Sequence, residues 1–445
     1  MMIMNQRFFV LLLLPIYFAL ALTTSAQSVY TPYTITTLAG KAGASGTNNG
    51  TRSAARFNAP SDVSVDGAGN VYVADTYNYT IRKVTPAGVV TTLAGAGFPG
   101  TNDGTGVDAK FWLPVGVGAD SAGNVYVVDA DTIRQVTPAG VVTTLAGSPL
   151  QAGTNDGVGS AARFRDPFGV TADGAGNVYV ADTGNYTIRK LSPVATNWVV
   201  TTLAGLAGHR GSTDGTGSAA RFGIPVDVAA DGAGNVYVAD LTYYDIRRVT
   251  PAGVVTTLAG LAGNSGSADG TGSAARFGQP SGIALDGAGN IYVADSGNSV
   301  IRKVTPAGMN WVVTTLAGAA FNEYLDGTGS AARFYQPFDV AADSAGNIYV
   351  VDSHNNTVRV GNPESAPAVI VTTTPALGFR AGQFGFPLTG PAGQLAVVEV
   401  STDLVSWLPV WTNTFPGIGT NQGRLTFLDP QSGAFPQSFY RVLTP

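Results

Sequence analysis

A repeated unit of about fifty-five residues fills most of this chain, and the repetition constrains the fold more than any single residue does. The motif TTLAG occurs six times, at residues 36–40, 91–95, 143–147, 201–205, 256–260 and 314–318. A second motif, D-x-AGN-[VI]-YV-x-D, also occurs six times and begins at Asp66, Asp120, Asp173, Asp231, Asp286 and Asp343. Self-similarity at this period is typical of architectures in which each unit packs against the next.

Each unit has the pattern of four short strands. In the first unit, residues 62–66 alternate apolar and polar side chains, residues 67–70 form a turn, and alternation resumes in residues 71–74, 81–84 and 89–93. Period-two alternation with β-branched residues indicates strands, and Gly and Asn stand where tight hairpins need a positive φ. Six such units predict an all-β, six-bladed β-propeller with four-stranded antiparallel blades, each beginning with its innermost strand.

The first and last units are cut out of phase, and this offset predicts how the ring closes. The sixth unit stops at Val360 after three strands, whereas Tyr33–Leu38 form an orphan outer strand of matching sequence. Pairing these two segments would remove two open sheet edges, which otherwise invite aggregation. We therefore expect residues 27–360 to form one closed propeller.

The first 26 residues have the composition of a secretory signal. Arg7 supplies the positive charge, Phe8–Leu22 the apolar core, and residues 24–26 a cleavage site of small residues. An uncleaved N-terminal anchor is the alternative, and no later segment is apolar enough to span a membrane. The chain has no cysteine, so export would bring no disulfide bonds. These features predict a secreted or cell-surface protein stabilised by packing alone.

The repeat ends after Val360, and the remaining residues change in character. Residues 361–375 are rich in Pro, Thr and Ala, which predicts a linker. Residues 376–445 contain several short runs typical of strands. The segment from Val398 to Trp407, with Phe439-Tyr440-Arg441, resembles a small immunoglobulin- or fibronectin-type β-sandwich. That resemblance implies a module for adhesion, sorting or spacing, as found in exported bacterial proteins.

The unit as a whole resembles the NHL-repeat family of β-propellers. The resemblance rests on the pattern F-x-x-P followed by GN-[VI]-YV-x-D-x-x-N-x-x-IRK, whose best copies are residues 57–83 and 277–303. Tyr79, Tyr186 and Ser299 stand where the family usually has His. The resemblance implies the fold, but not one function, because such propellers include protein-binding, RNA-binding and sensor modules and a few enzymes.

Several classes of function are disfavoured by composition. A net charge of −5 without any basic run argues against nucleic-acid binding. The similar propeller lyases hold zinc with several histidines, but this chain has only His209 and His354, in different repeats. The similar lactonases use a Glu ligand, and only Glu323 lies among the repeats. An enzyme is therefore disfavoured, although a site built from Asp residues stays open.

Residues present in every copy are expected to stabilise the blade itself. The Asp that ends the second strand recurs with an Arg in the third strand, as in Asp75 and Arg82. We expect this pair to hold each hairpin together. Five long loops carry a DG pair, as at Asp103, which predicts a turn or cap before the segment SAARF; calcium binding by these loops is the alternative.

Residues that differ between copies are better candidates for a site. At the start of the innermost strand, three units carry Asp where the family usually has Gly, namely Asp62, Asp227 and Asp339. These carboxylates would gather at the mouth of the central channel and could bind a cation such as Ca²⁺; no other cofactor is expected. The alternative is that they accept hydrogen bonds from neighbouring backbone N–H groups.

Aromatic and basic residues on the variable loops are the second group of candidates. The turns between strands two and three and the long loops after TTLAG are expected on one face of the propeller. This group comprises Tyr77, Tyr79, Tyr186, Tyr243, Tyr244, His354, His209, Arg210, Phe321 and Tyr324. Aromatic side chains on such a face are suited to stack on sugars or to anchor a protein, although each can also pack on an adjacent loop.

Together these observations predict a secreted, non-catalytic binding or scaffold protein. The expected ligand is an extracellular polysaccharide or another surface protein, and the expected state is a monomer without nucleic acid. Two alternatives stay open. One is a metal-dependent hydrolase or lactonase-like enzyme with an Asp-lined channel, and the other is a purely structural cell-surface module.

Overall fold

Six antiparallel sheets follow one another along the chain and form the six blades of a β-propeller. The structure is a computed structural model that describes residues 33–320 and 323–363 in full, and the backbone of seven strands between residues 369 and 443. The predicted signal peptide at residues 1–26 lies outside the described residues.

Each blade is built from the channel outward, and the strands occupy equivalent positions in all six blades. The innermost strands of blades 1 to 6 are Asp62–Val65, Pro114–Ala119, Val170–Ala172, Pro225–Ala230, Pro280–Leu285 and Pro337–Ala342. The second strands are Val71–Asp75, Val125–Asp129, Val178–Asp182, Val236–Asp240, Ile291–Asp295 and Ile348–Asp352. The third strands are Thr80–Val84, Thr132–Val136, Thr187–Val194, Asp245–Val249, Val300–Ala307 and Thr357–Pro363.

The outer part of each blade comes from the TTLAG motif and the loop after it. The fourth strands are Val89–Ala94, Val141–Gly147, Asn197–Gly205, Val254–Gly260, Asn310–Gly318 and, for blade 6, Tyr33–Gly40. Two-residue edge strands lie outside them, at Gly50–Thr51, Gly104–Thr105, Gly157–Val158, Gly215–Thr216, Gly270–Thr271 and Gly327–Thr328.

The blades are therefore five-stranded, and the prediction of four strands was wrong. The residues that follow the DG loop Asp pair with the start of the fourth strand, as in the contact of Gly104 with Val142. A two-residue strand shows no alternation, so periodicity could not reveal it. The segment SAARF after it begins as a single turn of 3-10 helix, for example Gly217–Ala219.

The N-terminal strand closes the ring, as predicted. Tyr33–Gly40 pairs antiparallel with Thr357–Pro363, with Thr36 opposite Val360. The innermost strand of blade 6 contacts that of blade 1, just as neighbouring blades contact each other elsewhere in the ring. The buried Tyr33 hydroxyl lies 3.0 Å from that of Tyr292 and donates to the carbonyl of Gly346 at 2.8 Å, so blade 5 is joined to the closing strand.

The hydrophobic core lies between neighbouring blades. One cluster joins Ala74 and Ile81 of blade 1 to Phe111, Val117 and Val127 of blade 2, all of them buried. Full burial of a side chain as large as Val, Ile or Phe stabilises the folded state by roughly 1.5–3 kcal/mol. Each blade buries its apolar side chains against the two neighbouring blades, so the stability of every sheet depends on closure of the ring.

The C-terminal strands form two small sheets. They are Val369–Ile370, Gly378–Arg380, Gln383–Pro391, Leu395–Ser401, Leu408–Thr414, Gln422–Leu428 and Phe439–Leu443. The sheet around Gln383–Pro391 has four strands, and the sheet around Leu395–Ser401 has three. Strands occur within residues 376–445, as predicted, and Val369–Ile370 lies in the segment predicted as a linker; the β-sandwich itself stays a prediction. Within the described part of the chain, no helix is long and apolar enough to cross a membrane.

Candidate functional site

A buried ion pair holds the hairpin between the second and third strands in five of the six blades, as predicted. Arg Nη1 lies 2.6 to 3.0 Å from Asp Oδ2. The guanidinium group also covers the ring of the Phe that begins the repeat, as Arg82 covers Phe57 at 5.3 Å. The pairs are Asp75–Arg82, Asp129–Arg134, Asp182–Arg189, Asp295–Arg302 and Asp352–Arg359. These side chains stabilise the blade.

The loop Asp of the DG motif has a similar structural role. Asp103 accepts a hydrogen bond from Arg134 Nη2 at 2.8 Å and two more from the backbone and hydroxyl of Thr144. The same arrangement recurs in blades 3, 4, 5 and 6, and Asn49 takes the position in blade 1. These carboxylates bind the long loop to its own blade. They do not cap the SAARF segment, because its 3-10 turns have no side-chain cap, so that part of the prediction was wrong.

Blade 4 departs from this pattern. Tyr243 replaces the Asn whose amide orients the ion-pair Asp in other blades, and Asp240 accepts from the backbone N–H of Gly223 and Ile224 instead of from Arg247. Asp245 replaces a Thr or Val, is fully buried, and neither of its carboxylate oxygens has a hydrogen-bond partner. Burial raises the pKa of Asp245 to about 7, although the charge of Arg247 opposes the rise.

The central channel brings the three predicted carboxylates together. The cavity has a volume of about 200 Å³ and is lined by Asp62, Asp227 and Asp339 with small side chains from all six innermost strands. Each carboxylate reaches forward to the next blade: Asp62 accepts from Val117 N at 2.9 Å, and Asp227 accepts from Ile283 N at 2.7 Å. The third, Asp339, accepts from the N–H of Val63 at 2.9 Å. The blades are thus joined around the channel by side chains.

Two of these aspartates follow a glycine in the preceding blade for a steric reason. A Cβ at Gly169 would collide with the carboxylate of Asp227, and a Cβ at Gly282 would collide with that of Asp339. Between blades 6 and 1 no glycine intervenes, and burial together with repulsion from the Asp62 carboxylate raises the pKa of Asp339.

Burial governs the charge of these channel residues. Loss of hydration raises the pKa of all three carboxyl groups, and their mutual repulsion adds to the rise. Among the described residues, no group of three or more His, Asp or Glu side chains is arranged to hold a metal ion. Binding of a cation at the channel stays a prediction.

Two phenylalanines cover one end of the channel. Phe168 of blade 3 and Phe338 of blade 6 directly precede Gly169 and Asp339 in the sequence, at equivalent positions near the start of the innermost strands. Their ring centroids are 5.5 Å apart, so the rings meet across the channel axis. Access to the carboxylates from this end requires movement of these rings.

The loops and turns at this end of the blades form one hydrogen-bonded surface, here called the loop face. In blade 1, Tyr77 N donates to Asn58 O at 3.2 Å and Asn78 Nδ2 donates to Gly46 O at 2.7 Å. The turn between strands two and three is thereby held against both the F-x-x-P segment and the long loop. Blades 3 and 5 repeat the Asn contact. The loop face is a fixed surface.

The predicted loop-face residues are distributed over several blades. Tyr77 is 60% exposed, and His354 is exposed and stacks on Tyr335 at a centroid distance of 4.8 Å. His209 and Arg210 are exposed, and the Arg210 guanidinium covers the ring of Tyr186 at 5.2 Å. None of these side chains lines the channel cavity or the pocket beside Trp112.

The remaining predicted residues have local contacts. Tyr79 and Tyr244 adopt left-handed backbone conformations that end their turns, and Tyr243 and Tyr244 are half-buried. The Tyr324 ring stacks on Arg359 at 4.8 Å, and its hydroxyl lies 2.6 Å from that of Thr37. Tyr324 therefore packs against its own blade. Phe321 lies outside the described residues.

A pocket that the predictions missed lies between blades 2 and 3. Its volume is about 320 Å³, and its lining includes Trp112, Leu113, Leu150 and Phe168. The available sequence signal was the short spacing from Asp129 to Arg134, five residues instead of seven. In the sequence this shorter spacing looks like an ordinary difference in loop length. In the structure the shorter connection leaves an apolar pocket open to solvent.

Comparison with known proteins supports the repeat assignment. The NHL repeat matches at residues 57–84, 277–303 and 334–360, in blades 1, 5 and 6. Protein SUPPRESSOR OF QUENCHING 1 of Arabidopsis thaliana is 30% identical over 269 residues, covering 57% of this chain and 25% of that protein. Human NHL repeat-containing protein 2 is 28% identical over 314 residues, covering 58% and 42%. The chain spans a quarter to about two fifths of the length of these relatives.

Solved structures share the fold at low identity. A protein of unknown function from Bacteroides thetaiotaomicron superimposes with a TM-score of 0.56 at 22% identity, covering 74% of this chain and 75% of that one. An auxiliary nutrient binding protein from Bacteroides ovatus gives a TM-score of 0.55 at 19% identity, covering 75% and 77%. The chain is thus a six-bladed β-propeller with NHL repeats.

Proposed function

We propose that this protein is an exported, non-catalytic binding protein that presents its loop face to a ligand. The observation that carries the proposal is the exposure of aromatic side chains, such as Tyr77, Trp112 and Tyr335, on a surface fixed by backbone hydrogen bonds. Rigid, exposed aromatic groups bind with little loss of conformational entropy, and they dominate many recognition surfaces.

Binding is favoured over catalysis by the state of the channel. The aspartates that an enzyme would use each accept backbone hydrogen bonds from a neighbouring blade, and the pKa of each is raised by burial. Phe168 and Phe338 cover them on the side where loops could contribute further groups. A general base or metal ligand needs a free lone pair that faces its substrate, and among the oxygens of these three carboxyl groups only Asp339 Oδ1 lacks a hydrogen-bond partner.

Export and the ligand class are part of the same proposal. The charged, apolar and small-residue segments within residues 1–26 support export. Structural relatives from Bacteroides are described as auxiliary nutrient binding proteins, which supports a role in capture at the cell surface. The proposed ligand is an extracellular polysaccharide or another surface protein, bound by a monomer.

The test is binding to a glycan array and to purified surface proteins, with variants on both faces. Tyr77→Ala and Tyr335→Ala should each weaken binding by about tenfold, because each removes an exposed aromatic contact. Met309→Ala is the matched control, since Met309 is 98% exposed in the hairpin at the opposite end of blade 5 and should leave binding unchanged. Equal loss in the control, or no loss at the loop face, would contradict the proposal.

The two alternatives predict different results. A metal-dependent enzyme would hold a divalent ion by elemental analysis, show a calcium-dependent rise in melting temperature, and lose both in Asp227→Asn. A purely structural module would bind neither glycans nor surface proteins in any arm of the test. The binding proposal predicts saturable binding that does not depend on Asp227.

A further inference from the structure

Blade 2 lacks the turn that the other blades carry between the second and third strands. Blades 1, 3, 5 and 6 have a short 3-10 helix there, for example Thr183–Asn185 in blade 3. In blade 2 only Ala130 and Asp131 connect Asp129 to Thr132. Ala130 adopts φ of 52°, a left-handed conformation that an Ala rarely takes. The shorter connection leaves the adjacent surface uncovered.

The uncovered space is the pocket of about 320 Å³ between blades 2 and 3. Trp112, which is 44% exposed, and Leu113 form one wall; Pro167 and Phe168 form another, and Leu150 comes from the long loop. Cavities of roughly 300 Å³ are the smallest that commonly hold small-molecule ligands. Blade 2 thus replaces a turn with an apolar site.

The walls of this pocket are held in place from beneath. The backbone N–H groups of Trp112 and Leu113 both donate to Asp129 Oδ1 at 2.8 Å, and Asp129 is itself paired with Arg134. On the opposite wall, Phe168 N donates to Ala181 O at 3.0 Å. A ligand would therefore bind a preformed site and order few groups on entry.

Two carboxylates give the pocket a negative charge. Asp131 and Asp166 are its only charged lining residues, and the N–H of Asp166 donates to Asp131 Oδ1 at 3.3 Å. Burial raises the pKa of Asp131 and the charge of Asp166 adds to the rise, whereas the hydrogen bond from Asp166 N and the positive charge of Arg165 oppose it. The neighbouring Arg165 is not part of the lining, and its side chain lies along Gly184 of the next turn. A cation in the pocket would relieve the repulsion between the two carboxylates.

We propose that this pocket binds a small monocationic amine. The apolar body would pack against Trp112 and Leu113, and the ammonium group would face the carboxylates of Asp131 and Asp166. An indole ring attracts cations through its quadrupole, and the carboxylates add direct electrostatic attraction. A neutral sugar could stack on Trp112 but would gain no electrostatic attraction to the two carboxylates. The inference rests on the proposed role of the loop face as a binding surface.

The test compares benzylamine with benzyl alcohol by isothermal titration calorimetry at pH 7. The two probes have the same size and aromatic body and differ in charge. Benzylamine should bind with a dissociation constant on the order of 1 mM, and benzyl alcohol at least about tenfold more weakly. Equal affinity for the two probes, or no benzylamine binding at about 20 mM, would overturn the proposal.

Variants locate the site. Trp112→Ala and Asp131→Asn should each weaken benzylamine binding by about tenfold, and Asp131→Asn keeps an oxygen that can accept from Asp166. Tyr335→Ala is the matched control, because Tyr335 holds the position of Trp112 in blade 6, where the turn is complete. Unchanged affinity in Trp112→Ala would place the amine elsewhere and defeat the proposal.

A loop graft tests the geometry while leaving the apolar walls around Trp112 and Phe168 in place; it removes Asp131 together with the short connection. Replacing residues 130–131 with Thr-Gly-Asn-Tyr, the sequence of residues 183–186, gives blade 2 the turn of blade 3 and should abolish benzylamine binding. The fold should persist, since blade 3 accommodates this turn. Retained binding in a folded graft would refute the pocket. If benzylamine fails but Tyr77→Ala still weakens glycan or protein binding, only the amine inference falls and the proposed function stands.

Discussion

Phe168 and Phe338 belong to blades three positions apart in the ring, yet their aromatic rings meet across the loop-face end of the channel with centroids 5.5 Å apart. The contact crosses the axis of the propeller, whereas most others in the core join neighbouring blades. It connects opposite sides of the ring directly and separates the channel carboxylates from the loop face.

A double-mutant cycle should reveal this contact as an energetic coupling. Phe168→Ala and Phe338→Ala together should cost less than the sum of the single changes, with a coupling of about 0.5–1.5 kcal/mol, because each single change already removes the ring pair. The measurement is the free energy of unfolding in guanidinium chloride. Phe338→Ala combined with Tyr77→Ala is the control and should be additive; a Phe168–Phe338 cycle that is also additive would mean that the rings do not interact.

Removal of the closing strand should destroy cooperative folding. Without residues 30–40, the third strand of blade 6 and the edge strand Gly327–Thr328 lose their partner, and exposed sheet edges aggregate. We expect a broad thermal transition and oligomers in size-exclusion chromatography. Tyr33→Phe is the control: it deletes only the buried hydroxyl and should cost about 1 kcal/mol while unfolding stays cooperative. A monomeric, cooperatively folding deletion variant would contradict the closure.

The Asp that ends the second strand should contribute more to the free energy of unfolding in blade 1, where it forms an ion pair, than in blade 4, where it does not. Asp75→Asn leaves Arg82 buried without its charged partner and should lower the free energy of unfolding by about 3 kcal/mol. Asp240→Asn is the matched comparison in blade 4, where Asp240 contacts backbone N–H groups, and should cost about 1 kcal/mol. Chemical denaturation measures both. Equal losses would mean that the direct ion pair contributes nothing beyond the backbone contacts.

Asp245 should make the protein less stable as pH rises. Burial raises the pKa of Asp245 from its ordinary 3.8 to about 7, so the folded state binds more protons than the unfolded state between these values. Stability from this group is therefore present below about pH 4 and lost as pH rises through 7. Asp245→Thr, which restores the residue of blade 1, should raise the free energy of unfolding at pH 8 by about 1–3 kcal/mol.

At pH 4 Asp245→Thr should raise the free energy of unfolding much less, because Asp245 is protonated in the folded protein at that pH. Thr80→Ser in blade 1 serves as the control and should show no pH-dependent difference from the unmodified protein. Thermal unfolding at pH 4, 6 and 8 provides the comparison. A gain that is the same at every pH would show that the carboxyl group of Asp245 does not titrate in this range.

The repeated features of the fold were predictable because residues that every blade needs occur at the same position in all six copies. The pairing of Asp75 with Arg82 and the closing role of Tyr33–Gly40 both follow from matching one copy against another. The edge strands escaped prediction, because two residues such as Gly104–Thr105 are too short to show a period. Comparison of copies therefore identifies whatever all blades need.

Features that occur in one copy were much harder to predict. The meeting of Phe168 with Phe338 depends on the diameter of the closed ring, which no local pattern encodes. The pocket beside Trp112 arises from a missing turn, so the sequence shows a deletion and not a motif. Likewise, the candidate residues Tyr243 and Tyr244 are half-buried, because the altered turn of blade 4 packs onto its neighbours.

The closing strand also sets an order of events during synthesis. Thr34 finds its partner Thr328 at a separation of 294 residues, so this strand leaves the ribosome long before the blade that receives it exists. Five blades can assemble one after another in the meantime, while the early strand stays unpaired and vulnerable to other edges. Closure of the toroid is thus a late step of folding. Until then the unpaired first strand is exposed, and its losses to other sheet edges lower the yield of native protein.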